Sequence, residues 1–237
     1  MFDYYGSKNQ LARYYQYPRY DTIIEPFAGS AGYAMYHLER NKSLRAVLCE
    51  KSDKVFRAWQ FLKIATEKDI DDYPIPKAGD RTSDFFAMAS SASNAFLRSH
   101  YMTMTTRMEN RMRMELKRIK RLLPLMERIE IIKGSYSDIA NVEATWFIDP
   151  PYQNINGTIR GQGYDLFCNS ESIDYQDLAT YCKMRMGQVI VCEQEGADWL
   201  PFRPFRSCTN SIDTKYTEVI WTSMPDVQMD MFGWDKN

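Results

Sequence analysis

Four consecutive residues carry the plainest chemical potential in the chain: Asp149-Pro150-Pro151-Tyr152, behind the apolar run 145–148. Proline cannot donate to a sheet ladder and fixes its own φ. It also pushes the preceding residue out of helical geometry. The run therefore reads as a buried strand that ends in a stiff, non-helical tip. That tip presents one carboxylate, free carbonyls and one aromatic face.

Such a tip suits the methylation of an exocyclic amine. The amino nitrogen of adenine shares its lone pair with the ring and is a poor nucleophile. A carboxylate (Asp149) and a backbone carbonyl (Pro150), each accepting one N–H, favour a nucleophilic geometry. Tyr152 can stack on a base that has left its helix.

Two upstream segments supply what that chemistry needs. "EPFAGSAGY", Glu25 to Tyr33, sits at the carboxyl end of a short buried strand, where open α/β sheets bind ligands. Gly29 and Gly32 allow a sharp turn and close backbone approach. The segment is neither GxGxxG nor a P-loop, and a purely structural turn is the competing reading. Glu50 ends the second strand, about 20 residues further on, where doubly wound folds place an acid against ribose hydroxyls.

Other chemistries are poorly supplied. The two histidines, His37 and His100, sit in no metal-ligand spacing. The five cysteines form no CxxC pair and read as free thiols. No apolar run approaches the roughly 18 residues of a membrane span, and the first ten residues lack the form of a signal peptide. A cytoplasmic protein with no metal is the expectation.

Several elements must position these groups. Strands are expected at Thr22–Glu25, Ala46–Cys49, Ile129–Lys133, through "ATWFI" and through "QVIVCEQ", with helices after the first two and at "DYQDLATYCKM". Short apolar strands alternating with helices predict a parallel sheet covered on both faces. The last two strands read as a hairpin. A proline-containing break over 69–84 precedes a long helical block from about Asp84 to Met126. That block is too long for a simple crossover. The expected organisation is a catalytic domain from 1–68 and 128–225, an inserted subdomain over 69–127, and a tail from 226.

Taken together, the pieces resemble the Dam-like group of N6-adenine DNA methyltransferases, in a phage-type form. The likeness runs from about Tyr4 to Trp221 and is weakest in the insertion. It rests on "YYGSK", "EPFAGSAG", "LCEKSD", "GSYSD" and "FIDPPY", in that order. The resemblance implies a Rossmann-like methyltransferase fold: a mostly parallel seven-stranded sheet with a C-terminal antiparallel hairpin, plus a helical target-recognition insertion. It implies S-adenosylmethionine as cofactor, held by Tyr4, Gly6, Lys8, Glu25, Pro26, Phe27, Ala28, Gly29, Gly32, Glu50, Asp138 and Asp149. Asp149, Pro150, Pro151 and Tyr152 would be catalytic, with Tyr152 and Tyr164 lining the pocket of a flipped base. Glu50 stands where the group commonly has Asp. Cytosine-N4 methylation, RNA as substrate and an idle nucleic-acid binder are the alternatives.

Net charge is −1, so any phosphate contact must be local. Between Arg107 and Arg128, eight Lys/Arg stand against three Glu. Arg107, Arg111, Lys117 and Arg121 fall broadly on one side of a continuous helix and are the expected DNA phosphate contacts. The methionines among them are read as packing. In the tail, Gln228–Phe232 ("QMDMF") resembles the peptide by which DNA-acting proteins bind the sliding clamp. Packing of the tail on its own domain is the other reading.

Overall fold

A computed structural model of the chain describes residues 1–2, 7–91, 99–154, 170–209 and 215–224. Tyr4, Gly6, Tyr164 and the Gln228–Phe232 segment lie outside the described residues.

Seven strands form one sheet: β1 (Thr22–Glu25), β2 (Arg45–Glu50), β5 (Ile129–Lys133), β6 (Ala144–Ile148), β7 (Gly187–Gln194), β8 (Arg203–Thr209) and β9 (Lys215–Thr222). Their spatial order is β5-β2-β1-β6-β7-β9-β8. The first five run parallel, and β9 is antiparallel to both β7 and β8. The Rossmann-like, mostly parallel sheet with an antiparallel C-terminal hairpin is thus what forms. Chain order reverses between β1 and β6, which makes that crevice the topological switch point. β2, β1 and β6 lie side by side there. They end in Glu50, in the glycine turn and in Asp149.

Successive strand residues point to opposite faces, and the chain fills both. Ile23, Phe147 and Ile190 face a core that includes α1 (Gly32–Arg40) and α2 (Asp53–Ile64). Ile24, Trp146, Ile148 and Val191 face a second core closed by α6 (Tyr175–Met184). Strands buried on both faces explain the unbroken apolar runs in the sequence.

The insertion differs from the expected single helical block. Asp84 caps α4 (Phe85–Ala89), accepting from the backbone N–H of Ala87 at 2.8 Å. The helix stops at Ser90. A separate helix, α5 (Thr106–Leu122), restarts behind the cap of Thr105. A short α3 (Glu67–Asp71) precedes them. A small antiparallel ladder, β3 (Arg81–Thr82) with β4 (Met102–Thr103), ties the two ends together. The insertion shares the first core: Ile70, Phe86, Met108, Met112 and Ile119 are buried in one cluster with Trp59 and Leu62. Among the described residues, no helix is long and apolar enough to cross a membrane.

Candidate active site

The glycine turn is built by its neighbours. Gly29 has φ 47° and Ala31 φ 51°, both in the left-handed region. Gly29 takes that conformation without steric cost, whereas Ala31 does so at roughly 1–2 kcal/mol. The turn is held from three sides. Glu50 Oε2 accepts from the N–H of Gly29 at 3.0 Å. Trp59 Nε1 donates to the Gly29 carbonyl at 2.8 Å. Glu25 Oε1 accepts from the N–H of Ala34 at 2.6 Å, in the first turn of α1.

Gly32 serves a different approach. A Cβ placed there would lie 2.8 Å from the backbone nitrogen of Asn9 and 2.9 Å from the carbonyl carbon of Lys8. The segment carrying Lys8 therefore rests directly on α1. From that seat Lys8 reaches the tip. Its Nζ lies 2.8 Å from Asp149 Oδ1 and donates to the Tyr152 hydroxyl at 2.7 Å. The same ammonium stands 4.8 Å from the centre of the Tyr152 ring.

The tip is clamped by β7 and α6. Glu193 is fully buried and its Oε2 accepts from the N–H of Gln153 at 2.9 Å and from Trp199 Nε1 at 3.0 Å. The Gln194 side chain donates to the Gln153 carbonyl at 2.9 Å. Tyr175 donates its hydroxyl to the Pro151 carbonyl at 2.6 Å. The Pro150 carbonyl has no hydrogen-bond donor among the described residues.

A cavity opens between the turn and the tip. Glu25, Phe27, Gly29, Glu50, Tyr136 and Asp149 all line it, with Phe147 beneath. The rings of Phe27 and Tyr136 lie 5.4 Å apart, inclined by 32°, on its wall. Pro26, Ala28, Gly32 and Pro151 also border it, as does Lys8, whereas Pro150 and Tyr152 of the tip do not. Asp138 is placed otherwise. Its Oδ2 accepts from the N–H of Ser135 at 2.7 Å and caps its own short 3-10 turn. The residues of that turn that border the cavity are Gly134, Ser135 and Tyr136.

Burial governs the electrostatics. Desolvation raises Glu25 to about 8 and Glu50 to about 6, against the pull of their backbone hydrogen bonds. Asp149 is also held above the ordinary carboxylate range by desolvation, with Lys8 pulling the other way. Burial alone would lower the Lys8 ammonium. Asp149 and then Glu218 outweigh it and hold the charge above the ordinary lysine value.

Sequence reading missed three contributors. Tyr136 was hidden within "GSYSD". Glu193 looked like the polar end of a strand. Glu218, 1% exposed, looked like a polar position on a hairpin strand, yet it receives the Tyr15 hydroxyl and belongs to the Lys8 cluster.

The basic stripe is partly neutralised. Arg113 pairs with Glu109 at 2.7 Å, Lys120 with Asp71 at 2.7 Å, and Arg121 with Glu39 at 3.2 Å. Arg128 is spent on the carbonyls of Leu38, Asn41 and Leu44. Arg107 and Lys117 are exposed, with no ion-pair partner among the described residues. Arg107, Arg111, Lys117 and Arg121 do share one sector of α5, roughly 120° wide at about 100° per residue. Met104, Met108 and Met112 are buried as expected, but Met114 is 73% exposed within that sector. A second basic feature lies at the other edge of the sheet. Tyr14, 38% exposed, has the guanidinium of Arg13 4.6 Å and that of Arg206 3.6 Å from its ring centre.

No protein-family model matches the chain, and no curated protein does. Among solved structures it is similar to the mitomycin 7-O-methyltransferase MmcR, with 11% identity and a TM-score of 0.40 over 90% of this chain. It is also similar to the putative methyltransferase yhhF from Escherichia coli, with 10% identity and a TM-score of 0.36. That second match covers 84% of this chain and 74% of the other. The chain spans about half the length of the first of these structures, 52%. At this distance the likenesses say nothing of substrate.

Proposed function

We propose that the chain is a methyltransferase that moves a methyl group from S-adenosylmethionine to the N6 amino group of adenine in DNA, on a base flipped out of the duplex. The observation that carries this reading is the placement of Asp149, directly after β6, in the lining of the cavity formed by the Gly29 turn and Glu50.

The cavity suits the cofactor. Glu50 is an acid at the end of β2, where ribose hydroxyls are received. Phe27 and Tyr136 offer aromatic faces, which favour a cationic centre and a purine ring alike. Glu25, the Gly29 turn and Asp149 complete the lining. Bound there, S-adenosylmethionine supplies an electrophilic methyl group on a sulfonium.

The chain's own residues do the rest. Asp149 and the Pro150 carbonyl each accept one N–H of the target amine. This draws the nitrogen lone pair out of conjugation with the ring. As the new N–C bond forms and the S–C bond breaks, the nitrogen holds one proton too many. Asp149 is the acceptor on the spot. Tyr152 stacks on the extruded base. Arg107 and Lys117 on one side, and Arg13 and Arg206 on the other, offer phosphate contacts to the strands beside the tip.

The test is incubation of the purified protein with labelled S-adenosylmethionine and unmethylated genomic DNA, followed by digestion and mass spectrometry of the nucleosides. N6-methyladenine is the expected product. N4-methylcytosine would keep the tip chemistry and change the pocket. Label on RNA alone would move the substrate. No label, with cofactor binding intact, would leave an idle nucleic-acid binder.

A further inference from the structure

We infer that Tyr175 and Glu193 are positioning residues for Tyr152: they hold the two peptide groups on either side of it and so set the direction in which its ring meets the base. The inference rests on the methyl-transfer reading given above.

A side chain leaves the backbone in a direction fixed by φ and ψ, and these are set by the two planar peptide groups that flank the residue. Each plane beside Tyr152 is caught by one side chain, and each from a different element. The plane before it carries the Pro151 carbonyl, which accepts from the Tyr175 hydroxyl at 2.6 Å. Tyr175 is the first residue of α6. The plane after it carries the Gln153 N–H, which donates to Glu193 Oε2 at 2.9 Å. Glu193 is the penultimate residue of β7. Core packing does not do this alone, because Tyr152 is only half-buried. The far end of its ring is held separately, by the 2.7 Å hydrogen bond from Lys8 to its hydroxyl.

The two holds share one support. Trp199, 4% exposed, packs its ring against that of Tyr175 with centres 5.6 Å apart, and it donates Nε1 to Glu193 Oε2 at 3.0 Å. Gln153 is fixed in turn, because all four of its polar groups are engaged. Besides the N–H, its carbonyl accepts from Gln194 Nε2 at 2.9 Å, its Oε1 accepts from the N–H of Asp198 at 3.2 Å, and its Nε2 donates to Asp198 Oδ1 at 3.1 Å. Glu193 suits its place by type. Its Oε2 meets two donors, and its Oε1 accepts from the N–H of Gln194 at 2.9 Å. A carboxylate accepts at both oxygens, whereas an amide would turn an NH2 towards one of these donors.

Tyr175→Phe tests this with the least damage, since it removes one hydroxyl and keeps the ring against Trp199. The variant is assayed with labelled S-adenosylmethionine on unmethylated genomic DNA. Its kcat should fall about fivefold, the measure of one net hydrogen bond, with the KM for S-adenosylmethionine unchanged. Glu193→Gln should lose at least as much. Because Tyr175 acts through Tyr152, the same substitution made in Tyr152→Ala should change kcat by less than about twofold. An equal loss in both backgrounds overturns the inference, as does a folded Tyr175→Phe with the parental kcat. If the parental protein labels neither DNA nor RNA, it is the methyl-transfer reading that fails. Carbon-13 NMR of the tyrosine-labelled protein then decides on the positioning itself. The Tyr152 ring signal, assigned by its absence from Tyr152→Ala, should broaden or split in Tyr175→Phe. One sharp signal at the parental position sinks the inference.

Discussion

Gly32 lies against the backbone of Lys8 and Asn9 so closely that a Cβ on it would fall within 2.8 Å of the Asn9 nitrogen. The glycine turn thus seats the strap that brings Lys8 to Asp149. Because Gly32 opens α1, alanine would ordinarily be neutral or mildly favourable there by helix propensity. The backbone clash reverses that sign. Gly32→Ala should destabilise by about 1–3 kcal/mol, the usual cost of overpacking. It should also lower methyl transfer by shifting Lys8. Chemical denaturation and a methylation assay on the same variant check both. Parental stability and activity would mean that the strap moves freely.

Tyr152 carries two functions that substitution can separate. Its ring is the proposed stacking face, worth roughly 1–3 kcal/mol per base. Its hydroxyl takes the 2.7 Å hydrogen bond from Lys8. Tyr152→Ala removes both and should weaken base capture, read as a loss of 2-aminopurine fluorescence change on DNA binding. Tyr152→Phe keeps the ring, so capture should persist while kcat falls. Equal damage to capture in both variants would show that the ring does not stack.

Much of this is legible in the sequence, for a physical reason. Strands buried on both faces leave unbroken apolar runs, and the residues that end them, Glu25, Glu50 and Asp149, fall at one edge of a parallel sheet. What stayed hidden depends on distant pairing. The β3–β4 ladder joins Arg81–Thr82 to Met102–Thr103 across an apparently helical stretch, and no local periodicity reports it. The partnership of Tyr15 with Glu218 spans 203 positions. The basic stripe looked uniform because charge counts do not reveal that Arg128 is occupied by carbonyls or Lys120 by Asp71.

Stability of the ligand-free protein should fall as pH rises through neutrality. Glu25 and Glu193 are held near 8 and 7 by burial, against ordinary values of 4.5. A carboxyl raised on folding contributes stability below its unfolded value, and that contribution is lost as pH climbs through the folded one. His37 acts oppositely, lowered by burial from 6.5 to about 4, and is silent above 6.5. Between about pH 6.5 and 8 the two acids act unopposed by it, each adding a slope of up to about 1.4 kcal/mol per pH unit. Thermal unfolding across that window should show a falling Tm. Glu25→Gln, which can still accept from Ala34, should flatten the fall. An unchanged slope in that variant would show that Glu25 is ionised in the folded protein.

The salt dependence of nucleic-acid binding distinguishes working cations from occupied ones. Each phosphate contact contributes about 0.9 to the slope of log K against log salt on duplex DNA. Arg107→Ala with Lys117→Ala should therefore reduce the slope by about 1.8, and Arg13→Ala with Arg206→Ala by a similar amount. Lys120→Ala is the control, because that ammonium is already bonded to Asp71 at 2.7 Å and should leave the slope unchanged. Neither double substitution should alter S-adenosylmethionine affinity, since none of the four side chains borders the cavity. A slope lost in the first pair alone would confine the nucleic acid to the α5 side of the tip. One lost in the second pair alone would place it along β8. Loss in both would mean that the strand crosses the mouth of β6 between them, with Asp149 facing the base as it leaves the duplex.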